Sequence, residues 1–460
     1  MAITLRPYQS AGKYFMVTRP GSILGDDVGL GKTYQALAAL ATIDKVAMSH
    51  EHLIISPHNL KGQWYDAIVA YFHDIPTIKT IDNAGEESCL LFGSDTTIYL
   101  AHFEQFQNRS KQDKRAKPVT QAYLNIRWAS VTVDEAHRMK NVNSQRHHWI
   151  TQLHTQYKFA LTGTPMSDKP SDIFGLLNWI DRKEFPHFWP FVEYYCYTAP
   201  GFGGHKQEVV GAKKAKMPHL RKRLERYLLA RTLADVGVEL PGVTFRDITL
   251  EMGPEQAELY RQVREENIID LKQRLPEKAM GLGWDFDAMD DQLIITSAGA
   301  RFTFSQRVTS DPHHYNVDVP SIKMDAFKDY CEDVGQPCVI FTRFRSTVAR
   351  IEQFIKANKK EYPWLKDCVV GTYDKISEGL NLQHLHHIIM WDLPLRRTQY
   401  HQAPGRCNRL GQKDHVIIHR FIVRKSVDQH VRRLIEGKHN LVTEYMEWLR
   451  GLFDRQEDGE

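Results

Sequence analysis

The chain has little net charge, no paired cysteine motif, no long apolar run and no internal repeat, and each absence narrows what it can be. Its 60 Lys and Arg against 56 Asp and Glu leave a formal charge of +4 over 460 residues. The whole molecule is therefore no polycation, and any nucleic-acid site must be a local groove. Six cysteines (Cys89, Cys196, Cys331, Cys338, Cys368, Cys407) form no CxxC pair. Neither a zinc ribbon nor a disulfide framework is indicated, and reduced, mostly buried thiols are expected. No apolar stretch nears the roughly 18 residues that span a bilayer, and the N-terminus lacks the order of a signal peptide. The expectation is a soluble, cytoplasmic protein without membrane contact. Histidines cluster at His147 and His148, His313 and His314, and His384, His386 and His387, without cysteine or carboxylate partners at metal-ligand spacing. They read as structural or surface residues.

What is present is a rhythm. The length predicts two or three domains. From Met1 to about Lys183, runs such as "HLIIS", "TTIYL", "SVTVDE" and "KFALTGT" alternate with helical stretches such as "GKTYQALAALATI". That is the pattern of an α/β fold, a parallel sheet covered by helices on both faces. From Phe185 to Glu239 the chain turns aromatic, then glycine-rich at "GFGG", then basic from Lys213 to Arg231. The basic stretch reads equally as a surface tracking a duplex backbone or as a solvated helical face. Pro254 to Asp311 has helical spacing with mixed charge, after which "PCVIFTRF", "CVVGTY", "HHIIMWD" and "VIIHRFI" restore the buried-strand rhythm. The expected division is 1–184 as a first lobe, 185–245 as a helical insertion and linker, 246–312 as a helical protrusion, 313–435 as a second lobe and 436–460 as a C-terminal helix.

Three motifs carry chemistry. "DDVGLGKT", Asp26 to Thr33, stands between a strand and a helix. A triphosphate needs closely spaced backbone N–H donors, which Gly29 and Gly31 permit by accepting unusual dihedrals. Lys32 would meet the β and γ phosphates and Thr33 would ligate Mg²⁺. Asp26 occupies the place of the first glycine in the general P-loop pattern; alone, the segment would also fit a glycine turn capping an ordinary helix. "VTVDEAH" ends an apolar run in Asp134 and Glu135. Asp134 is assigned to the metal and Glu135 to activation of the attacking water, although a lone DE pair after a strand is usually a solvated turn. "QAPGRCNR", Gln402 to Arg409, places Arg406 and Arg409 three apart, a spacing read as one helical face. They are candidate arginine fingers, or else solvated surface arginines.

The order of these motifs resembles the Swi/Snf-like ATPases of helicase superfamily two, including the bacterial RapA-type proteins, over nearly the whole chain. The resemblance implies two RecA-like parallel-sheet lobes with helical insertions, using ATP and Mg²⁺. "LRPYQ" is similar to the adenine-contacting motif, which implies nucleotide contacts from Arg6 and Gln9 beside those of Asp27, Gly29, Gly31, Lys32 and Thr33. The family's own P-loop also begins with Asp. "LIISPHNLKGQW" resembles a nucleic-acid groove segment and "LTGTP" the element coupling hydrolysis to strand contact, implying roles for Ser56, Lys61 and Thr162. "ARTLADVGVELPG" resembles the connector between lobes. In the second lobe "PCVIFTRF", "SEGLNLQ" and "QAPGRCNRLGQ" imply Arg343 at nucleic acid and Gly379 and Gln402 at the nucleotide, closing on Gly411 and Gln412; Thr372, in "GTYDK", is a further candidate at the nucleic-acid groove.

One departure stands out. Only residues 345–370 separate "FTRF" from "GTYDKISEGLNLQ", whereas a βα crossover takes about 30 residues or more, so a trimmed second lobe is expected. The resemblance implies a duplex-DNA-dependent ATPase that translocates without separating strands, and a monomer is expected. A strand-separating DNA or RNA helicase and an RNA polymerase partner are the alternatives. Economy of size suggests a bacterial or bacteriophage source.

Overall fold

The computed structural model describes residues 3–107, 115–166, 169–200, 207–263, 268–270, 292–294, 298–315, 318–376, 382–409 and 411–437. It divides into two compact units, Met1–Glu239 and Leu240–His439.

The first unit is built on strands β1 (Gly21–Leu24), β2 (Glu51–Ser56), β3 (Pro76–Ile81), β4 (Glu87–Leu91), β5 (Ser94–His102), β6 (Arg127–Asp134) and β7 (His154–Leu161). A hairpin of β8 (Cys196–Pro200) and β9 (Gln207–Ala212) stands apart, and β10 (Leu228–Leu229) completes the sheet. The sheet order is β10-β1-β7-β6-β2-β5-β3-β4, parallel throughout except for edge strand β4. Central strands buried on both faces are apolar along most of their length, with small or hydrogen-bonded polar residues such as Ser22, His52, Ser130 and Thr132 between. In β2 the alternation sends Leu53 and Ile55 into one core and Ile54 into the other. The second of these cores is closed by helix α2 (Lys32–Ile43), which contributes Ala36, Leu37, Leu40 and Ile43, and helix α3 (Lys61–Tyr71), which contributes Trp64 and Ile68. Helix α1 (Pro7–Val17) adds Met16 to the same core.

The strand order has a consequence for function. β1, β7 and β6 are adjacent and parallel, so the loops that follow them lie side by side. These are the glycine loop after β1, "TGTP" after β7 and the acidic pair after β6. Open α/β sheets place ligands at this edge.

Residues 185–239 are more than an insertion. After the helix Phe188–Tyr195, the β8–β9 hairpin and the helix Met217–Leu224, the chain returns to pair Leu228 and Leu229 with Ile23 and Leu24 of β1. Both leucines are buried, and two residues are too short a run to read as a strand from sequence.

The second unit has strands β11 (Val243–Leu250), β12 (Ile268–Asp270), β13 (Gln292–Ile294), β14 (Cys338–Thr342), β15 (Val369–Thr372), β16 (His387–Met390) and β17 (Val416–Val423). Five of them form a fully parallel sheet in the order β11-β17-β16-β14-β15, while β12 and β13 make a small antiparallel pair. The region expected as a helical protrusion therefore starts as sheet, since β11 pairs with β17 along its whole length. Its helix Pro254–Arg261 buries Leu259 and Tyr260 in the same core as Val308.

The short stretch 345–370 holds a complete crossover. The helix Arg345–Asn358 leads into a 3₁₀ turn, Pro363–Asp367, and β15 returns parallel to β14. Economy of linkers, with proline starting the turn, lets one helix suffice. Among the described residues no helix is long and apolar enough to cross a membrane. Residues 438–460 of the expected C-terminal helix lie outside the described residues; the helix Val427–Gly437 precedes them.

Candidate active site

The glycine loop has the backbone its composition predicts. Gly29 and Gly31 sit at φ +99° and +70°, where side chains other than glycine are strained. Gly31 is the N-cap of α2, so Lys32 and Thr33 open the helix and its free N–H groups face the loop. Lys32 donates through Nζ to the backbone oxygens of Asp26 (2.7 Å) and Asp27 (3.2 Å). Gln9 is buried against this loop: its Oε1 accepts from the Arg6 N–H at 2.9 Å and its Nε2 donates to Leu30 O at 3.2 Å. A Cβ on Gly31 would lie 2.5 Å from Gln9 Nε2, so the glycine also provides clearance for the glutamine.

Asp26, in the place of a glycine, does not face the loop mouth. It is fully buried and takes two hydrogen bonds from Arg231, at 2.9 and 2.6 Å, and one from Gln35 Nε2 at 3.0 Å.

The acidic pair closes the other side. Asp134 accepts from the indole N–H of Trp64 at 3.0 Å and from the Glu135 backbone N–H at 2.8 Å. Burial and the neighbouring Glu135 carboxylate push Asp134 up to about 6, against the pull of those hydrogen bonds and of Lys32. Glu135 holds φ +48°, a left-handed conformation that costs a non-glycine residue about 1–3 kcal/mol and gathers at functional sites. His137 Nδ1 lies 3.3 Å from Glu135 Oε2 and 3.3 Å from Thr162 Oγ1. Thr162 is fully buried, its hydroxyl also accepting the Thr164 N–H at 3.1 Å, so its side chain is turned to His137. Gly163 lies close against the glycine loop: a Cβ there would come within 3.2 Å of Val28 Cγ2 and in ordinary contact, 3.8 Å, with Lys32 Nζ.

Of the remaining candidates, Ser56 and Lys61 belong to the first unit and the others to the second. Ser56 is buried with its hydroxyl on Pro57 O, and Lys61 opens α3 half-buried. In the second unit Arg343 follows β14, bonded to Gln306 through its side chain and to Asp392 Oδ2 through its N–H at 3.2 Å. Thr372 ends β15. Gly379 lies outside the described residues. Gln402 is buried, and its Nε2 meets no acceptor among the described residues.

Arg406 and Arg409 do not share a helical face. The helix Arg397–Gln402 stops before Pro404, a short 3₁₀ turn Pro404–Arg406 follows, and Arg409 lies beyond it. Proline cannot donate the N–H that would continue the helix. The two guanidinium groups still feel each other: burial first, and then Arg406, lower the pKa of Arg409. Gly411, at φ +100°, and buried Gln412 shape the turn after them. The Gln412 amide donates to Leu385 O and Cys407 O and accepts from Lys413 and Asp414 N–H groups.

Residues 8–283 match the SNF2-related domain, and residues 365–411 match the helicase conserved C-terminal domain. The chain belongs to the SNF2-related domain family. It is an ATP-hydrolysing enzyme of helicase superfamily two. Over 458 residues it is 22% identical to the uncharacterized ATP-dependent helicase YqhH of Bacillus subtilis, covering 91% of this chain and 75% of that protein. It is 24% identical to the transcription regulatory protein SNF2 of Saccharomyces cerevisiae, covering 93% of this chain but only 27% of the yeast protein. The SWI2/SNF2 ATPase core of Sulfolobus solfataricus in complex with dsDNA is similar at a TM-score of 0.45 and 20% identity, over 99% of this chain and 96% of that one.

Within this SNF2-related chain, two site residues stand in motifs read for other roles, Trp64 at the end of "LIISPHNLKGQW" and Arg231 in "ARTLADVGVELPG". Trp64 holds Asp134, and the signal was the indole itself, because a buried Trp N–H needs an acceptor. Arg231 holds Asp26 from 205 residues away, and no local pattern announces such a pair.

Proposed function

We propose that this chain is an ATP-driven translocase on double-stranded DNA. The observation that carries the reading is the gathering, beyond three adjacent parallel strands, of the glycine loop with Lys32, the Asp134–Glu135 pair, and Thr162 bound to His137. In this reading Gly29 to Thr33 cradle the phosphates on backbone N–H groups at a helix N-terminus, and Gln9 with Arg6 holds the adenine. Lys32 exchanges the oxygens of Asp26 and Asp27 for the β and γ phosphates. Two adjacent carboxylates, one raised in pKa by burial and then by its neighbour, form a donor set that suits a divalent cation, with Asp134 and Thr33 as the groups that would hold Mg²⁺. When bound, the ion supplies neutralisation of phosphate charge. Glu135 polarises the attacking water, oriented by His137.

The family resemblance implies that Arg406 and Arg409 serve as arginine fingers, a contribution worth roughly 10³ to 10⁵ in rate where it has been dissected. Gln402 and Gly379 complete the nucleotide contacts. Groove contacts go to phosphates, from Lys61, Arg343 and Thr372 and from the backbone at Ser56 and Thr162, which gives binding with little sequence information. The resemblance to Swi/Snf-type motors favours tracking along a closed duplex. The description of YqhH as a helicase favours a second reading, strand separation.

The test is ATP turnover measured in parallel with duplex DNA, single-stranded DNA and RNA. Stimulation by duplex that Lys32→Ala or Glu135→Gln abolishes is expected. Turnover indifferent to every nucleic acid would refute the translocase reading, and release of a strand from a tailed duplex would favour the helicase.

A further inference from the structure

Behind the glycine loop lies a buried polar network that none of the phosphate-contacting roles uses. Arg231 is its centre, only 7% exposed. Its Nε and Nη2 donate to the two oxygens of Asp26 at 2.9 and 2.6 Å, Nη2 also reaches Gln35 Oε1 at 3.0 Å, and Nη1 reaches Tyr8 O at 2.6 Å. Gln35 Nε2 in turn donates to Asp26 Oδ2 at 3.0 Å and to Leu30 O at 3.2 Å, the same oxygen that receives Gln9 Nε2. The backbone follows suit: Gly25 N–H donates to Leu229 O at 2.6 Å and Asp27 N–H to Arg231 O at 2.9 Å. Gly12 of α1 leaves the space, since a Cβ there would lie 1.8 Å from Gln35 Oε1 and 2.9 Å from Arg231 Nη2.

One guanidinium therefore fastens the start of the adenine-side helix, the start of the phosphate loop and the first turns of α2. It also does a second task. Asp26 places a carboxylate directly under a site meant for a triphosphate, and an uncompensated negative charge there would oppose the ligand. The bidentate Arg231 cancels that charge while presenting the backbone oxygen of Asp26 to Lys32. Moreover, Arg231 stands in the stretch that runs on to Leu240, where the second unit begins.

We propose that Arg231 is a positioning residue for the nucleotide: it holds the phosphate loop in its receptive shape and links ATP occupancy to the order of the segment 228–236. The inference rests on the reading of Gly29 to Thr33 as the ATP site. By linkage, a ligand that binds only the fastened loop must also tighten the segment that fastens it.

The experiment compares wild type, Arg231→Met, the double variant Asp26→Leu with Arg231→Met, and Arg231→Lys in the full chain. Removing one partner of a buried ion pair is strongly destabilising, whereas replacing both by apolar groups is often neutral, so the double variant recovers the melting temperature lost in the single one. It is nonetheless expected to bind a fluorescent ATP analogue about tenfold more weakly, with turnover per active molecule at saturating ATP within about threefold of wild type. Amide exchange across 228–236 should slow on ATP addition in wild type and not in the double variant. If the double variant does not fold, Arg231→Lys decides: it keeps the charge but not the fork, and must weaken ATP binding while melting close to wild type. Wild-type ATP affinity in whichever variant is folded would reduce Arg231 to a folding element and overturn the proposal. Failure of wild type itself to bind the analogue would instead overturn the ATP site.

Discussion

Replacing Trp64 by Phe tests whether the indole N–H governs the charge of Asp134. The bond is 3.0 Å long, and a hydrogen bond to a charged group contributes about 1.5–3 kcal/mol. At about 1.4 kcal/mol per pKa unit, its loss should lift Asp134 by roughly one to two units. Asp134 already stands at about 6 from burial and the Glu135 charge, so the variant would titrate higher still. The sign follows: the variant carries more protonated Asp134 at neutral pH, and the deficit vanishes in alkali. The profile of kcat/KM for ATP reports ionisations of the free enzyme, and comparison with wild type cancels the titration of ATP itself. At pH 7 the variant should lose roughly two- to tenfold in kcat/KM, and near pH 9 almost nothing, by simple titration of one group. A general loss of packing would lower activity by the same factor at every pH. An acid limb that stays in place would show that Trp64 only fills space.

Gly31→Ala forces a left-handed residue and places its Cβ 2.5 Å from Gln9 Nε2. With a backbone cost of about 1–2 kcal/mol, the KM for ATP should rise about tenfold, and the preference for ATP over GTP should shrink. In the second unit Lys323 is fully buried between Asp392 (3.2 Å) and Asp428 (2.8 Å). Lys323→Met leaves two carboxylates without their cation at a cost of about 3–5 kcal/mol, so the melting temperature of that unit should fall by roughly 6–20 °C. A scanning calorimetry trace with no such shift would refute the pairing. Burial alone would raise Asp44, yet hydrogen bonds from His52, Thr96 and His50 bring it down to about 2. A carboxylate depressed in the folded state stabilises fully above its unfolded value of about 4 and loses that contribution as pH falls toward 2. Asp44→Asn should therefore flatten the acid dependence of denaturant midpoints between about pH 4 and pH 2, and an unchanged slope would exclude Asp44 as its source.

How much of this was legible in the sequence depends on how local each feature is. The glycine loop, the acidic pair and the strand runs are written in consecutive residues: Gly29 and Gly31 take up the conformations, and Asp134 and Glu135 the placements, that those residue types suggest, while the left-handed backbone of Glu135 is not legible. The strand order that sets them side by side is a property of pairing between β1, β7 and β6, which no single run encodes. The same holds for Asp26 and Arg231, and for Leu228 and Leu229, whose strand is too brief to announce itself. Pro404 was a readable signal that the helix before Arg406 must stop, and spacing alone pointed the other way. The segment 345–370 looked too short only against average crossover lengths; the proline-led 3₁₀ turn makes the return with few residues.

The late return of β10 to the edge of the first sheet bears on how the chain is born. During synthesis, at about 5–20 residues per second, the loop at Asp26 leaves the ribosome many seconds before Arg231 does. Until then a nascent chain has no cation for a carboxylate destined to be buried, and its nucleotide pocket is unfinished. Any fragment ended near residue 184, where the strand-helix alternation first pauses, would stay in that juvenile state, so the shortest piece expected to hold ATP at full strength runs past Arg231.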